Sequence, residues 1–302
     1  MLEAQLIATA TPTVDLCHPS VARVYDYLLG GSANWAVDRA FGDRILDRFQ
    51  EFGDIARAHR LFVNRVVRHL VREGVRQFVD VGSGVLSEGN THQVADEMCR
   101  DARVVYVDNE AVAVAHAEIA LDEEGDPDRH AAVNADLRDP DELWHRVRLT
   151  GVLDPDEPVA LLMFSVLHTI QPDGQTATDP AYRLMARYRE LLSPGSYLGV
   201  SHITNEDVPP HLQSKLAQLK RLCDNVSGNH VHCRSQAAVR KFLGDFRPVG
   251  PGVGWIPDWY REEARYAADN IPFAQPNHAV VWAGIGQKKR TAKDRQSFLT
   301  SW

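Results

Sequence analysis

Residues Gln77 to His92 read QFVDVGSGVLSEGNTH, and this stretch decides the fold. The apolar run Phe78-Val79-Asp80-Val81 leads directly into Gly82-Ser83-Gly84. That pattern predicts a buried parallel strand ending in a glycine turn, where an α/β sheet receives a nucleoside-bearing ligand. Glycine supplies backbone angles that a side chain forbids and lets the main chain approach a ligand. A second apolar strand, Arg103 to Val107, ends on Asp108, 24 residues beyond Gly84. An acid at the tip of the second strand is placed to accept hydrogen bonds from both ribose hydroxyls.

Two cofactor classes use a glycine turn with a distal acid. A dinucleotide site wants G-x-G-x-x-G, with helix amides facing a pyrophosphate. Here Ser87 stands where the third glycine belongs, and no P-loop occurs. A phosphate-free cofactor suits the looser turn, and S-adenosylmethionine is one. A purely structural turn competes with this reading.

The remaining strands follow by the same logic. Ala131 to Leu137 reads as a third strand ending on Asp136. Pro158 to His168, PVALLMFSVLH, is apolar enough for a central strand, and Gly195 to His202 and His278 to Ile285 complete the series. Helical segments at Thr91 to Arg100, Ala111 to Leu121 and Pro180 to Leu192 lie between them. Alternation of this kind implies a parallel sheet covered on both faces, with ligands at the carboxyl ends of its strands. Asp80, Gly82, Asp108, Asp136, Ser165 and His168 fall at those ends. Ahead of the sheet, Ser20 can cap a helix that runs to Leu29 and stops at Gly30-Gly31. Longer helices follow at Ala36 to Gln50 and Asp54 to Glu73, the second with Phe62, Val66, Val67, Leu70 and Val71 on one face. The expected division is a loose arm (1–19), a helical cap (20–74), a core (75–286) with a helical insertion at about 205–233, and a polar tail (287–302).

Composition sets limits. The chain has 302 residues, 44% of them hydrophobic, enough for a sizeable core. A net charge of -8 argues against a nucleic-acid surface, which needs a basic stripe. No apolar run reaches the roughly 20 residues of a membrane span, and the start lacks a signal pattern, so a cytoplasmic location is expected. Self-association is left open. The cysteines, Cys17, Cys99, Cys223 and Cys233, form no C-x-x-C pair and read as reduced thiols. Cys223, His230, His232 and Cys233 cluster in sequence, with a spacing that matches no familiar zinc site, so no metal is expected.

Four stretches carry a resemblance. They are Ala22 to Arg39 (ARVYDYLLGGSANWAVDR), Asp80 to Ala95 (DVGSGVLSEGNTHQVA), Val105 to Ala117 (VYVDNEAVAVAHA) and Ala160 to His168 (ALLMFSVLH). The chain resembles a class I S-adenosylmethionine-dependent methyltransferase and, more narrowly, an actinobacterial family of them, from about Ser20 to Gly286. The YDYLLGG segment is absent from generic methyltransferases. The family turn usually continues Gly-Leu-Pro-Thr; here it is Gly84-Val85-Leu86-Ser87, while Gly89, Asn90 and His92 are kept. The resemblance implies an α/β fold with a doubly wound, mostly parallel seven-stranded sheet under a helical N-terminal cap. It implies S-adenosyl-L-methionine bound by Gly82, Ser83, Gly84, Asn90, Asp108, Asn109, Phe164 and Ser165. Asp136 would take the adenine amino group and Leu137 would pack on the ring. YDYLLGG would fold over the cofactor, with Arg23 or Tyr27 near the methionine carboxylate.

Each residue has a plainer reading. Tyr25 and Tyr27 fit as core aromatics, and Asn90 and His92 as braces of the helix after the turn. Methyl transfer gains much of its rate from alignment, and a base is needed only if the acceptor loses a proton during attack. His168 and His202, at strand ends, are the candidate bases, with satisfied structural histidines as the alternative. Trp255, Trp259 and Tyr260 can wall a substrate pocket or simply pack. The expected function is methyl transfer to a small molecule, a specialised metabolite. The rival is a non-catalytic cofactor-binding or regulatory protein on the same fold.

Overall fold

The protein is described here from a computed structural model, which covers residues 15, 17–87, 89–172, 179–226, 230–266, 271 and 273–290. Most of the expected arm and tail lies outside the described residues. Three helices come first: α1 (Val21–Leu29), α2 (Ala36–Arg48) and α3 (Phe52–Arg72). Then β1 (Gln77–Val81), α4 (Thr91–Asp96), β2 (Arg103–Asp108), α5 (Ala111–Glu124), β3 (His130–Asn134), α6 (Pro140–Leu149) and β4 (Val159–Phe164) alternate. They are followed by α7 (Pro180–Leu191), β5 (Tyr197–Ile203), α8 (Pro210–Val226), α9 (Gln236–Leu243), β6 (Arg247–Trp255) and β7 (Val281–Gln287).

The seven strands form one sheet in the order β3-β2-β1-β4-β5-β7-β6. The first five are parallel, and β7 runs antiparallel to both β5 and β6. The order reverses between β1 and β4, which makes their carboxyl ends the switch point where such sheets bind ligands. This is the doubly wound, mostly parallel seven-stranded sheet expected from the sequence.

Strand β6 was not anticipated. Its sequence, RPVGPGVGW, holds two prolines and three glycines, residues that demote a strand signal. It is tolerated because β6 is an edge strand, and its register against β7 shifts between Val249 and Val253. The third strand stops at Asn134, before Asp136, so Asp136 lies in the loop that follows.

Alternation along the strands sorts the core into two faces. Phe78, Val104, Ala160 and Leu162 pack with Phe62, Val66, Val67 and Leu70 of α3. Val79, Val105, Leu161 and Met163 pack on the other face with Leu143, Met185 and Phe242 of α6, α7 and α9. The α3 stripe is fully buried at Phe62, Val66, Val67 and Leu70. Burying each such side chain contributes about 1.5–3 kcal/mol, which holds α3 across the sheet.

The cap is fixed by charge as well as by packing. Ser20 caps α1, accepting from the Arg23 amide, and Gly30 ends the helix at φ 85°. At Gly31 a Cβ would lie 2.0 Å from Asp26 Oδ1, so that close approach requires glycine. Arg23 is almost wholly buried and donates from Nε to Asp38 (2.6 Å) and from Nη1 to Glu110 (2.8 Å). Its guanidinium also lies 3.8 Å from the Trp35 ring centroid. Asp38→Ala would leave this buried cation with Glu110 as its one carboxylate partner, and removing one partner of a buried pair costs about 3–5 kcal/mol. Urea denaturation should show a loss of about 3 kcal/mol; a loss below about 1 kcal/mol would mean the pair does not hold the cap.

Candidate active site at the strand ends

The glycine turn after β1 is bound to its neighbouring strand. Gly82 donates to the Val107 carbonyl at 2.7 Å, and Gly84 donates to Asp108 Oδ2 at 2.9 Å. Both glycines have positive φ, 71° and 65°. A side chain at Gly82 would meet Val166 Cγ1 at 2.1 Å, so the steric demand there comes from the β4 loop. Asp108 Oδ1 accepts the Glu110 amide at 2.9 Å. Burial raises the Asp108 carboxyl above its usual range, against these amide bonds, which lower it.

The other expected residues are distributed unequally. Ser83 and Asn109 sit beside this pair, Ser83 donating to Val107 at 3.3 Å and Asn109 exposed. Asp136 is ion-paired with Arg138, whose hydrogen bond holds its carboxyl below the usual range. The Leu137 carbonyl accepts from Tyr188 Oη at 2.7 Å. Phe164 lies edge-on to Phe62 with centroids 5.2 Å apart, and Ser165 follows at φ 56°. Asn90 is buried and braces the turn, accepting the Ser87 amide at 3.2 Å, while Gln93 Oε1 accepts its own amide at 2.9 Å. Tyr27 turns onto α2, where its hydroxyl donates to Asp43 at 2.6 Å. Arg23 is engaged by Asp38 and Glu110, as described above.

The two candidate bases differ sharply. His202 is fully buried, and its Nδ1–H donates to the Ile203 carbonyl while Nε2 accepts from Arg234 Nη1, both at 2.8 Å. Neither nitrogen is open to a substrate. Burial, then His168 nearby, lowers its pKa to about 3. His168 is lowered to about 4 by burial and by Arg234, yet its Nδ1 has no hydrogen-bond partner among the described residues. The aromatic trio is packing: Trp255 stacks on Trp282 at 3.5 Å, Trp259 donates to the Ala283 carbonyl, and Tyr260 stacks on His69. Among the described residues, no group of three metal-ligating side chains could hold an ion, and His230 in the Cys/His stretch pairs with Asp224.

Two residues, His59 and Arg60, escaped the sequence reading. His59 of α3 reaches across the strand ends, its Nε2 2.8 Å from Ser201 Oγ and 3.0 Å from Ser165 Oγ. Its Nδ1 lies 3.1 Å from Tyr25 Oη. Tyr25 Oη donates to the Ala56 carbonyl, so it accepts from Nδ1–H, and Nε2 accepts from a serine hydroxyl. Burial, with Arg60 second, lowers the His59 pKa to about 3. Asp80 points to the same face, accepts from Thr91 Oγ1 at 2.7 Å, and is raised by burial. Arg60 adjoins them, and its buried Nε has no hydrogen-bond partner among the described residues. The signal for His59 and Arg60 was their place just before Phe62, where α3 turns from core to ligand edge.

A glycine turn bound to a strand-end carboxylate, with Arg60 near Asp80 and without a hydrogen-bond partner among the described residues, fits a nucleoside with a charged tail. The comparisons agree. The pattern of an S-adenosyl methyltransferase family matches residues 7–289. The chain belongs to that family. A crystal structure of a candidate methyltransferase from Thermobifida fusca YX is 31% identical, with a TM-score of 0.78, covering 94% of this chain and 100% of that one. A DUF574 family protein from Streptomyces avermitilis MA-4680 is 28% identical, also with a TM-score of 0.78, covering 90% and 98%. Comparison with curated proteins finds no match. This methyltransferase therefore uses S-adenosylmethionine.

The imidazoles make stability depend on pH. His202 stays neutral when folded down to about pH 3 but protonates near pH 6.5 when unfolded. Its stabilising contribution is complete above pH 6.5 and is lost as pH falls toward 3. Between pH 7 and pH 5 the stability gap between wild type and His202→Gln should narrow by about 2 kcal/mol. A gap that stays constant in denaturation at the two pH values would mean His202 is not held neutral.

Proposed function

We propose that the chain transfers a methyl group to a small molecule, a specialised metabolite, at the carboxyl ends of β1, β2 and β4. The observation that carries this is the hydrogen bond from Gly84 to Asp108, which closes the glycine turn onto the acid. Gly82, Ser83 and Gly84 line the cofactor's approach. Asp108 takes the ribose hydroxyls, Asn109 flanks it, and Asp136 with Leu137 receives the adenine. Phe164 and Ser165 form the floor beneath the reacting end. Asn90 holds the turn from behind, which its contacts with Ser87 support. S-adenosylmethionine supplies the electrophilic methyl carbon; the protein supplies alignment and exclusion of water.

The cap supports a small acceptor. Helix α1 lies over the glycine turn, where a Cβ on Gly84 would sit 3.6 Å from Ala22 Cβ. A site roofed this closely suits a ligand that can be enclosed, and the net charge of -8 disfavours a polynucleotide. The division into a cap at 20–74 and a core at 75–286 belongs to this reading. His168, whose buried Nδ1 has no hydrogen-bond partner among the described residues, is the candidate to accept a proton where the acceptor must lose one. The two engaged nitrogens of His202 support a structural role instead. Among the described residues no helix is long and apolar enough to cross a membrane, which supports a cytoplasmic location.

Asp108→Ala should weaken binding of S-adenosylhomocysteine, measured by calorimetry, by on the order of 2–3 kcal/mol, because two charge-assisted hydrogen bonds are lost. Unchanged affinity would remove Asp108 from the site. With wild-type enzyme, S-adenosylhomocysteine should accumulate with a member of a small-molecule acceptor panel and not with DNA or RNA. Turnover confined to nucleic acid would contradict the small-acceptor reading.

A further inference from the structure

Arginines near the ligand edge are almost all satisfied. Arg23 is held by Asp38 and Glu110. Arg65 donates to the carbonyls of Trp259 and Ile256. Arg234 donates to Asp179, Leu167, Ile170 and His202. Arg60 differs: its Nε is buried, yet no hydrogen bond or ion pair reaches it among the described residues. The Tyr25 ring lies 5.8 Å from its guanidinium carbon. A buried cationic donor without a partner is costly, and such groups are retained where a ligand completes them.

The opposite charge is nearby and does not pair with it. The Arg60 charge is felt by Asp80, His59, Tyr25 and Tyr106. Asp80 nevertheless makes no ion pair with Arg60 within 4.0 Å, and one of its oxygens accepts from Thr91 Oγ1 of α4. Asp80 is the penultimate residue of β1, one residue before the glycine turn, on the face that α3 covers. A cation and an anion held apart at the end of β1 are the complement of a zwitterion.

The geometry points to Arg60 as the residue that holds the carboxylate of the cofactor's methionine tail, with Asp80 facing the ammonium. The inference rests on the cofactor site proposed above and assigns its charged end to α3 of the cap, rather than to Arg23. A guanidinium fork matches a carboxylate through two parallel hydrogen bonds, which an ammonium cannot reproduce. Arg60 is then a specificity residue. It selects ligands that carry the amino-acid tail over nucleosides that lack it.

Two ligands separate this role from a structural one. S-adenosylhomocysteine carries the tail; 5′-methylthioadenosine keeps the adenine, ribose and thioether without it. Calorimetric titration of the full chain with both ligands is the test. Arg60→Gln should weaken S-adenosylhomocysteine at least about 30-fold, in keeping with a lost bond to a charged group. It should leave 5′-methylthioadenosine within about twofold. Arg60→Lys, which keeps the charge without the fork, should fall between wild type and Arg60→Gln for the first ligand only. Equal loss of both ligands would make Arg60 a brace of the pocket, and undiminished S-adenosylhomocysteine binding would place the carboxylate elsewhere; either result overturns the assignment. Failure of the wild-type chain to bind either ligand would instead strike the cofactor site itself.

Discussion

Arg23 is the residue on which the arrangement of the site turns. Its guanidinium joins three segments that are far apart in sequence: α1, which carries it; α2, through Asp38; and the loop after β2, through Glu110. Glu110 lies two residues beyond Asp108 and donates its own amide to that carboxylate. The cap and the acid at the tip of β2 are therefore one polar assembly. Burying an ion pair returns little net stability, because desolvation consumes most of the attraction. What the cluster provides is position, because α1 must sit where Asp38 and Glu110 both reach the guanidinium. That docking brings Ala22 over Gly84 and Tyr25 over α3.

A second polar layer sits above the ends of β4 and β5. His59 links Tyr25 of the cap to Ser165 and Ser201 of the sheet. Ser201 Oγ also receives the Ser165 amide at 2.9 Å, which holds Ser165 in its positive-φ conformation. Every member of this chain is neutral, which suits a low-dielectric site where an unpaired charge would be penalised. Around it, Arg234 ties the β4 loop to β5 and to Asp179 before α7. The loop carrying His168 is thereby fixed from below.

The sheet was legible because its strands are short apolar runs that end on glycine or acid. Gly82, Gly84 and Asp108 met in space as their spacing implied. The helices before the sheet were legible from the periodicity of α3. Strand β6 was not, because Pro248, Pro251 and its glycines mask a strand that survives only at an edge. Partnerships between charges were also hidden. Nothing local to Arg23 announces Asp38 or Glu110, so it read as a candidate ligand for the cofactor. His59 and Arg60 were passed over for the opposite reason: the apolar face of α3 drew attention to the core it builds, not to the edge it overhangs. His168 and His202 looked equivalent in sequence, and only the packing of Arg234 against His202 separates them.

The central claim is that the cap is clamped by Arg23 and that the ligand end of the sheet begins at Asp108. A crystal structure of the protein with S-adenosylhomocysteine tests both at once. The account predicts the ribose hydroxyls on the Asp108 carboxylate, with Arg23 still held between Asp38 and Glu110. A nucleoside seated away from Asp108, or Arg23 released from its two carboxylates to reach the ligand, would contradict it.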